Sequence, residues 1–402
     1  MISFLLGSGF SYDEGIPGLK KINETFVNTK ADDIFLGSDQ TAFYLEKGQK
    51  DPNGCFPENV KDRTFFEKFI NFYIDEVVKG KERFNYEEFI DYFYLPRKPK
   101  EYPNELKSFC ETFRKKYYSK SSLGDDDTNL LFRFYNIYAQ LLAKQLSFPK
   151  YHEDADYSGY YNYNSFIGFV AGLLKNNNEV RVHTLNHDLF FDFLGSKLSG
   201  LWPYYCDGYE ENNSQYFGVL RTKILNVTKS YKVRLRYYTG NYNNKLCLYK
   251  LHGSIDTYVF NLSSENTDMT RIKTMLGVEE FYKEVKNEQT GEFEYTSGHQ
   301  YKYPDFLCGT SYKLLFYSDE YYKRLHDHFI NNLKKSEKLI VIGFGFKDLK
   351  INEMIEESFL KEGKKMIVID PFPNIHVFKK SYNIQYIEKG INNVNQKEWQ
   401  SF

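Results

Sequence analysis

The sequence predicts an α/β fold built on an open parallel sheet, and three observations carry that prediction. Short apolar runs end in glycine, asparagine, aspartate or histidine. The first run drops at once into a glycine turn. Stripes of apolar residues at helical spacing fill much of the rest. The runs cover residues 2–6, 180–185, 246–251, 306–308, 339–342 and 366–369. Each is short for a helix and reads as a buried strand. Open parallel sheets carry their sites at the carboxyl ends of such strands.

Taken in order, the first run leads into Gly7-Ser8-Gly9-Phe10-Ser11, followed by Gly15-Ile16-Pro17-Gly18. A strand feeding such a turn is how a Rossmann-like fold brings backbone N–H groups against a phosphate. The full G-x-G-x-x-G is absent, because Tyr12 takes the third glycine's place. A plain strand-to-helix turn explains the segment equally well when it is taken alone.

Residues 25–178 read as a large, mostly helical insertion. Phe66, Phe69, Ile70, Tyr73 and Val77 form one stripe; Leu131, Phe134, Tyr138, Leu141 and Leu142 a second, behind an acidic start at 125–127; Phe166, Ile167, Val170 and Leu174 a third. Residues 99–125 are charged and poorly periodic and read as a loop or a frayed helix. The remaining 1–24 and 179–402 form the sheet domain. Ser318 is placed to cap a helix running to Lys335, with Asp319 and Glu320 in its first turn. Another helix begins near Asp348 and stops before Gly363, a C′ glycine. Residues 207–244 suggest a hairpin turning at Thr239-Gly240-Asn241. Residues 255–303 are polar and show no clear period.

The totals exclude several classes. Lys and Arg number 53 against 54 Asp and Glu, a net charge of −1, so no overall basic field points to direct nucleic-acid binding or an anionic membrane. No apolar run approaches the ~20 residues of a membrane helix. The five cysteines are odd in number and none has C-x-x-C spacing, which argues against a disulfide framework or a Cys-rich zinc site and suits a reducing cytoplasm. The start has no basic leader, so no signal peptide is expected.

Four further segments carry chemistry at strand ends. Thr184-Leu185-Asn186-His187-Asp188 offers an amide that can hold ribose hydroxyls and a carboxylate that can accept from a carboxamide. Either residue also suits a helix cap. Leu251-His252-Gly253-Ser254 offers an imidazole for general-base work, or a structural histidine bonded to a carbonyl. Gly343-Phe344-Gly345-Phe346, followed by Asp348 and Asn352, is a second glycine turn where a nucleotide can approach. Ile369-Asp370-Pro371 places an aspartate at a strand end, to meet an adenosine or simply to make a turn.

In order and strand context, these segments resemble the sirtuin family. Gly7-Ser8-Gly9-Phe10-Ser11 with Gly15-Ile16-Pro17 is similar to its glycine loop and Gly-Ile-Pro-Asp-Phe-Arg. Thr184-Leu185-Asn186-His187-Asp188 looks like Thr-Gln-Asn-Ile-Asp, and His252-Gly253 like the catalytic His-Gly. Phe306-Leu-Cys-Gly309-Thr310 sits where the family has Phe-Gly-Glu, Gly343-Phe-Gly-Phe346 stands for Gly-Thr-Ser, and Ile369-Asp370 for Ile-Asn. The resemblance implies NAD+ as substrate. Gly7, Ser8, Gly9 and Ser11 would hold its diphosphate. Ile16, Pro17 and Asp188 would surround the nicotinamide. Asn186, with Thr184 opening its motif, would hold the ribose. His252 would be the base. Gly343, Phe344 and Asp370 would meet the adenosine half.

The departures are informative. Residues 253–307 contain no cysteine where protein-deacylating sirtuins carry a zinc ribbon, so no metal is expected and acyl-lysine binding is disfavoured. Lys20 and Gly18 replace the family's Arg and Asp, Leu185 its Gln, and His187 its Ile. The helical insertion and the Gly-Phe-Gly-Phe-Lys-Asp348 segment resemble sirtuin-like effectors of bacterial antiphage systems. That resemblance implies an NAD+ glycohydrolase releasing nicotinamide and ADP-ribose, with Asn186, Asp188 and His252 as catalytic residues. It further implies a homo-oligomer beside a HerA-type ATPase, or else a short Argonaute. ADP-ribosyl transfer, and a non-catalytic NAD- or ADP-ribose-binding subunit, are the alternatives.

Overall fold

The structure, a computed structural model, describes residues 1–37, 41–45, 57–94, 102–118, 127–147, 158–224, 227–262, 269–274, 278–300, 303–307 and 319–402. The chain divides into two compact units. One comprises Met1–Ile16, Ser147–Tyr301 and Tyr317–Phe402; the other comprises Pro17–Leu146 and Lys302–Phe316.

The first unit is organised by a seven-stranded parallel sheet. Its strands are β1 (Ile2–Leu6), β2 (Val180–Thr184), β3 (Tyr205–Cys206), β4 (Leu246–Lys250), β5 (Lys338–Ile342), β6 (Lys365–Ile369) and β7 (Ile384–Ile387). The spatial order is β7-β6-β5-β1-β2-β4-β3. From β1 the chain builds outward to one side through β2, β4 and β3, and to the other through β5, β6 and β7. The switch in direction lies between β1 and β5, and the crevice at such a point is where open sheets bind ligands.

Both faces of the sheet are covered, so its central strands are buried along their length, Arg181, His183 and Lys250 included. On one face Phe4 of β1 meets Phe166 and Phe169 of the helix Asn164–Lys175, with ring centroids 5.8 and 6.4 Å apart. Trp399 closes over those rings. On the other face His183 of β2 meets Phe329 of the helix Glu320–Lys335 at 4.7 Å. The helix Asn164–Lys175, which the apolar pattern groups with the insertion, thus lies in the sheet unit. Cys206 and Cys247 pair in register across β3 and β4 as free thiols, with sulfurs 3.0 Å apart.

The helix caps follow the sequence closely. Asp348 caps Leu349–Ser358 by accepting from the Lys350 and Ile351 amides, and Gly363 ends the following turn at φ +71°. One cap shifts by a residue. Asp319, not Ser318, accepts from the Tyr321 amide at the start of Glu320–Lys335; Ser318 lies outside the described residues.

Between β3 and β5 the unit adds antiparallel strands. A five-stranded sheet takes in Gly208–Glu210, Arg236–Asn241, Thr257–Asn261, Met269–Lys273 and His299–Gln300. A four-stranded one takes in Tyr216–Ile224, Val227–Arg234, Val278–Lys286 and Phe293–Ser297. Tyr216, Leu235, Phe260, Ile272 and Phe281 make a shared core. Residues 255–303 therefore hold strands that show no clear period in the sequence. Phe293–Ser297 is exposed throughout and Thr257–Asn261 is buried at four of its five positions, so neither shows an alternating pattern. The expected turn at 239–241 is also corrected. Those residues lie inside Arg236–Asn241, where a register shift opposite Gly208 and Tyr209, with Gly240 at φ +70°, makes a bulge. The hairpin instead joins Tyr216–Ile224 to Val227–Arg234.

The second unit is mostly helical: Leu19–Asn28, Pro57–Phe72, Tyr86–Tyr94, Asn104–Tyr117 and Asp127–Leu146, with a short hairpin of Ile34–Leu36 and Ala42–Tyr44. Aromatic rings fill its core, with Phe134 meeting Phe65, Phe66, Phe69, Phe89 and Phe93. The stretch read as loop or frayed helix contains the helix Asn104–Tyr117, which buries Leu106, Cys110 and Phe113 at a helical spacing diluted by charge. Residues 125 and 126, ahead of the helix starting at Asp127, lie outside the described residues, as do Cys55 and residues 308–310.

Candidate active site

Two glycine turns meet at the switch point. The first follows β1, the second follows β5, and they pack backbone to backbone. A Cβ on Gly7 would lie 2.5 Å from the Gly343 carbonyl oxygen, and one on Gly343 would lie 2.4 Å from the Phe10 nitrogen. Gly343 also sits at φ +62°, where an L side chain is strained. The Gly9 amide donates to the Gly343 carbonyl (3.0 Å), the Gly7 amide to Ile342 (2.9 Å) and the Phe10 amide to Gly7 (2.9 Å). Lacking side chains, these glycines let one turn seat in the other. Ser8 and Gly9 are exposed, whereas Ser11 is buried.

Beside them, the segment after β2 is tied to the first turn through Ser11. Thr184 closes the strand end: its hydroxyl accepts from the Asn186 amide (3.0 Å) and donates to the Leu6 carbonyl (3.4 Å). The Asn186 Nδ2 then donates to the Gly7 carbonyl (2.9 Å) and to Ser11 Oγ (3.2 Å). Ser11 Oγ in turn donates to Asp188 Oδ2 (2.8 Å), whose other oxygen accepts from the Phe190 amide (3.0 Å). Amide, hydroxyl and carboxylate form one chain, each member buried. Burial pushes the Asp188 carboxyl upward, while Lys250, the Phe190 amide and the Ser11 hydroxyl pull it back.

His252 reaches the same edge from β4, the neighbour of β2. The Leu251 amide donates to the Thr184 carbonyl (2.9 Å) and the Ile255 amide to the His187 carbonyl (3.1 Å), so the two loops run side by side. The His187 and His252 rings lie 6.4 Å apart. The unexpected histidine at 187 is thus a neighbour of the candidate base. His252 is 2 % exposed, and its Nε2 faces Asp348 Oδ2 at 3.3 Å. His326 is buried close by. Burial first, and then its neighbour His252, hold it down at about 3.

A buried charge network underlies this edge. Lys250 bonds the Asp188 carbonyl and Asp192 Oδ2, the latter at 3.0 Å. Lys273 reaches Asp192 (2.8 Å), Asp207 (2.9 Å) and Asp256 (3.4 Å), and Arg236 grips Asp207 with both nitrogens. Burial pushes the Asp207 carboxyl up, but Lys273 and Arg236 more than reverse it; Lys250 and Lys273 do the same for Asp192.

The other candidate residues are placed as follows. Phe344 is buried against Phe346 (4.9 Å between centroids), which meets Phe378. Asp370 ends β6 beside β5, and its Oδ1 accepts from the Phe372 amide (2.8 Å), so it makes the turn that its alternative reading describes. Ile16 is buried at the end of one segment of the sheet unit, and Pro17 opens the other unit. The structure thus brings together Gly7, Gly9, Ser11, Thr184, Asn186, Asp188, His252, Gly343 and Phe344, with Asp370 one strand further out. Lys250 and Asp192 are neighbours of these residues that pattern reading leaves without a role, and Asp348, expected at a helix start, also faces His252. A lysine inside the apolar run 246–251 is the signal that was available. Among the described residues, no group of three His, Cys, Asp or Glu side chains is placed to hold a metal ion, and no helix is long and apolar enough to cross a membrane.

Residues 209–387 match the family model described as SIR2-like domain. The match takes in His252, Gly343, Phe344 and Asp370 and starts beyond the first glycine turn and Asn186. No curated protein matches the chain.

Proposed function

We propose that this sirtuin-like chain is an NAD+ glycohydrolase, splitting NAD+ into nicotinamide and ADP-ribose. The SIR2-like match supports NAD-dependent activity in general. One observation carries the finer reading: the Asn186–Ser11–Asp188 chain and His252 emerge from adjacent strands at one sheet edge, beside the two glycine turns.

Breaking the nicotinamide–ribose bond builds positive charge on the sugar. A site promotes this by fixing the ribose and by placing negative or polar groups where charge develops. Asn186 spends Nδ2 on Gly7 and Ser11, which fixes the amide and turns Oδ1 to accept from a ribose hydroxyl. The Asp188 carboxylate, oriented by Ser11 and the Phe190 amide, accepts from the carboxamide of the nicotinamide. His252 takes a proton from a ribose hydroxyl or from the attacking water, a contribution of about 10²–10⁴-fold for a positioned base. Water is the acceptor, since the stretch that carries a zinc ribbon in deacylating sirtuins holds no cysteine here.

Uncontrolled loss of NAD+ harms the cell that makes the enzyme. The reading therefore includes an antiphage role in which assembly or a partner, a HerA-type ATPase first, releases the activity. Co-purification with the products of neighbouring genes tests that part; recovery of a lone monomer counts against it. The catalytic part is tested by incubating the purified chain with NAD+ and measuring ADP-ribose, then repeating with Asn186→Ala and His252→Ala. Both variants should lose turnover. Undiminished turnover in both rules this site out.

A further inference from the structure

We propose that Asp348 is the positioning residue of His252: one carboxylate caps a helix with one oxygen and holds the imidazole with the other. This rests on the reading of His252 as the base. Oδ1 accepts from the Lys350 (3.0 Å) and Ile351 (3.1 Å) amides at the start of Leu349–Ser358, and Oδ2 lies 3.3 Å from His252 Nε2. The two amides fix the carboxylate that the ring faces. The helix N-terminus also favours the ionised carboxylate.

The reach of this contact is what makes it informative. Asp348 follows β5 and His252 follows β4, and the sheet order sets β1 and β2 between them. Strands lie about 4.7–4.9 Å apart, so three intervals separate the two strand ends by roughly 14 Å. The contact therefore crosses over the strands that carry Ser11 and Asn186. Local folding of neighbouring loops does not require it.

Chemically, a carboxylate facing Nε2 selects the tautomer with the proton on that nitrogen, leaves the lone pair on Nδ1, and stabilises the imidazolium formed when the ring accepts a proton. Among the described residues, titratable groups beside His252 include Asp348 and the imidazoles of His187 and His326. Of these three, Asp348 is the anion.

Asp348→Asn separates the two oxygens' work, because asparagine caps helices as well as aspartate does. Asp348→Ser is the second variant, keeping a cap without the charge. With NAD+ as substrate, both should lower kcat about 10- to 100-fold with KM nearly unchanged. The acid limb of the kcat/KM profile should move down by roughly one pH unit, the scale of losing one adjacent opposite charge. The same downward shift should appear in the imidazole titration of His252 followed by NMR, its resonance identified by loss in His252→Gln. Increased turnover would make the contact a latch rather than a support and would overturn the proposal. So would an unmoved imidazole titration in variants that melt like the parent chain. An activated parent chain without NAD+ turnover refutes the hydrolase reading, and the imidazole titration still decides the role of Asp348.

Discussion

Replacing Gly343 by alanine tests the meeting of the two glycine turns. The added Cβ would lie 2.4 Å from the Phe10 nitrogen and 2.5 Å from two Gly9 backbone atoms. None of these can swing aside as a side chain would, because Gly9 and Phe10 are held by hydrogen bonds of 3.0 and 2.9 Å. Holding a Cβ residue at φ +62° costs about 1–2 kcal/mol. Forcing the turns apart costs about 1–3 kcal/mol more. The sum, about 2–5 kcal/mol, is a large part of a domain's usual stability of about 5–15 kcal/mol. At about 2–4 °C per kcal/mol the melting temperature should drop by roughly 4–20 °C. Gly345→Ala is the control, two residues on, where a Cβ meets nothing within 4 Å. Thermal melts of the two variants decide the matter. If Gly343→Ala melts with Gly345→Ala, the close packing of the turns is refuted.

Three further outcomes follow from named contacts. Ser11→Ala leaves Asp188 Oδ2 and the Asn186 amide short of a partner, so stability should fall by about 1–3 kcal/mol in urea unfolding; an unchanged midpoint would contradict the hydrogen-bond chain. Lys273→Met strips the shared cation from Asp192, Asp207 and Asp256 and should cost about 3–5 kcal/mol at pH 7; a cost below 1 kcal/mol would show the network is not buried as described. The Asp192 and Asp207 carboxyls are held below their unfolded value, near 3.9. Their contribution is therefore present above about pH 4 and is lost as pH falls through the lower folded values. Melting temperature should drop on acidification below pH 4, and the drop should shrink in Lys273→Met. A parallel drop in both chains would place the acid sensitivity elsewhere.

Much of the sheet was legible because burial on both faces leaves a plain mark. The runs at 2–6, 180–185 and 339–342 match β1, β2 and β5 to within a residue at either end. Caps were legible where one side chain does the work, as at Asp348 and Gly363. The antiparallel strands of 255–303 were not: Phe293–Ser297 has no buried side and Thr257–Asn261 is buried at four of five positions, so neither alternates. The helix Asn104–Tyr117 hid three buried residues among basic and acidic ones. At the candidate site, residue types and strand-end positions singled out Asn186, Asp188 and His252. The partnerships were a different matter. Ser11 bonds residues 175 and 177 positions away, and Asp348 meets a histidine from a strand that is not its neighbour. Contacts of that kind are set by strand order, which no local pattern encodes.

On the proposed function, the side chains gathered at the carboxyl edge of β1, β2 and β4 split NAD+. The most direct measurement is chromatographic separation of nicotinamide and ADP-ribose after NAD+ is incubated with the parent chain and with Asn186→Ala. Equal release of both products by the parent chain and their loss in the variant is the expected result. Equal yields from the two proteins, or intact NAD+ in the presence of the activated parent chain, would contradict it.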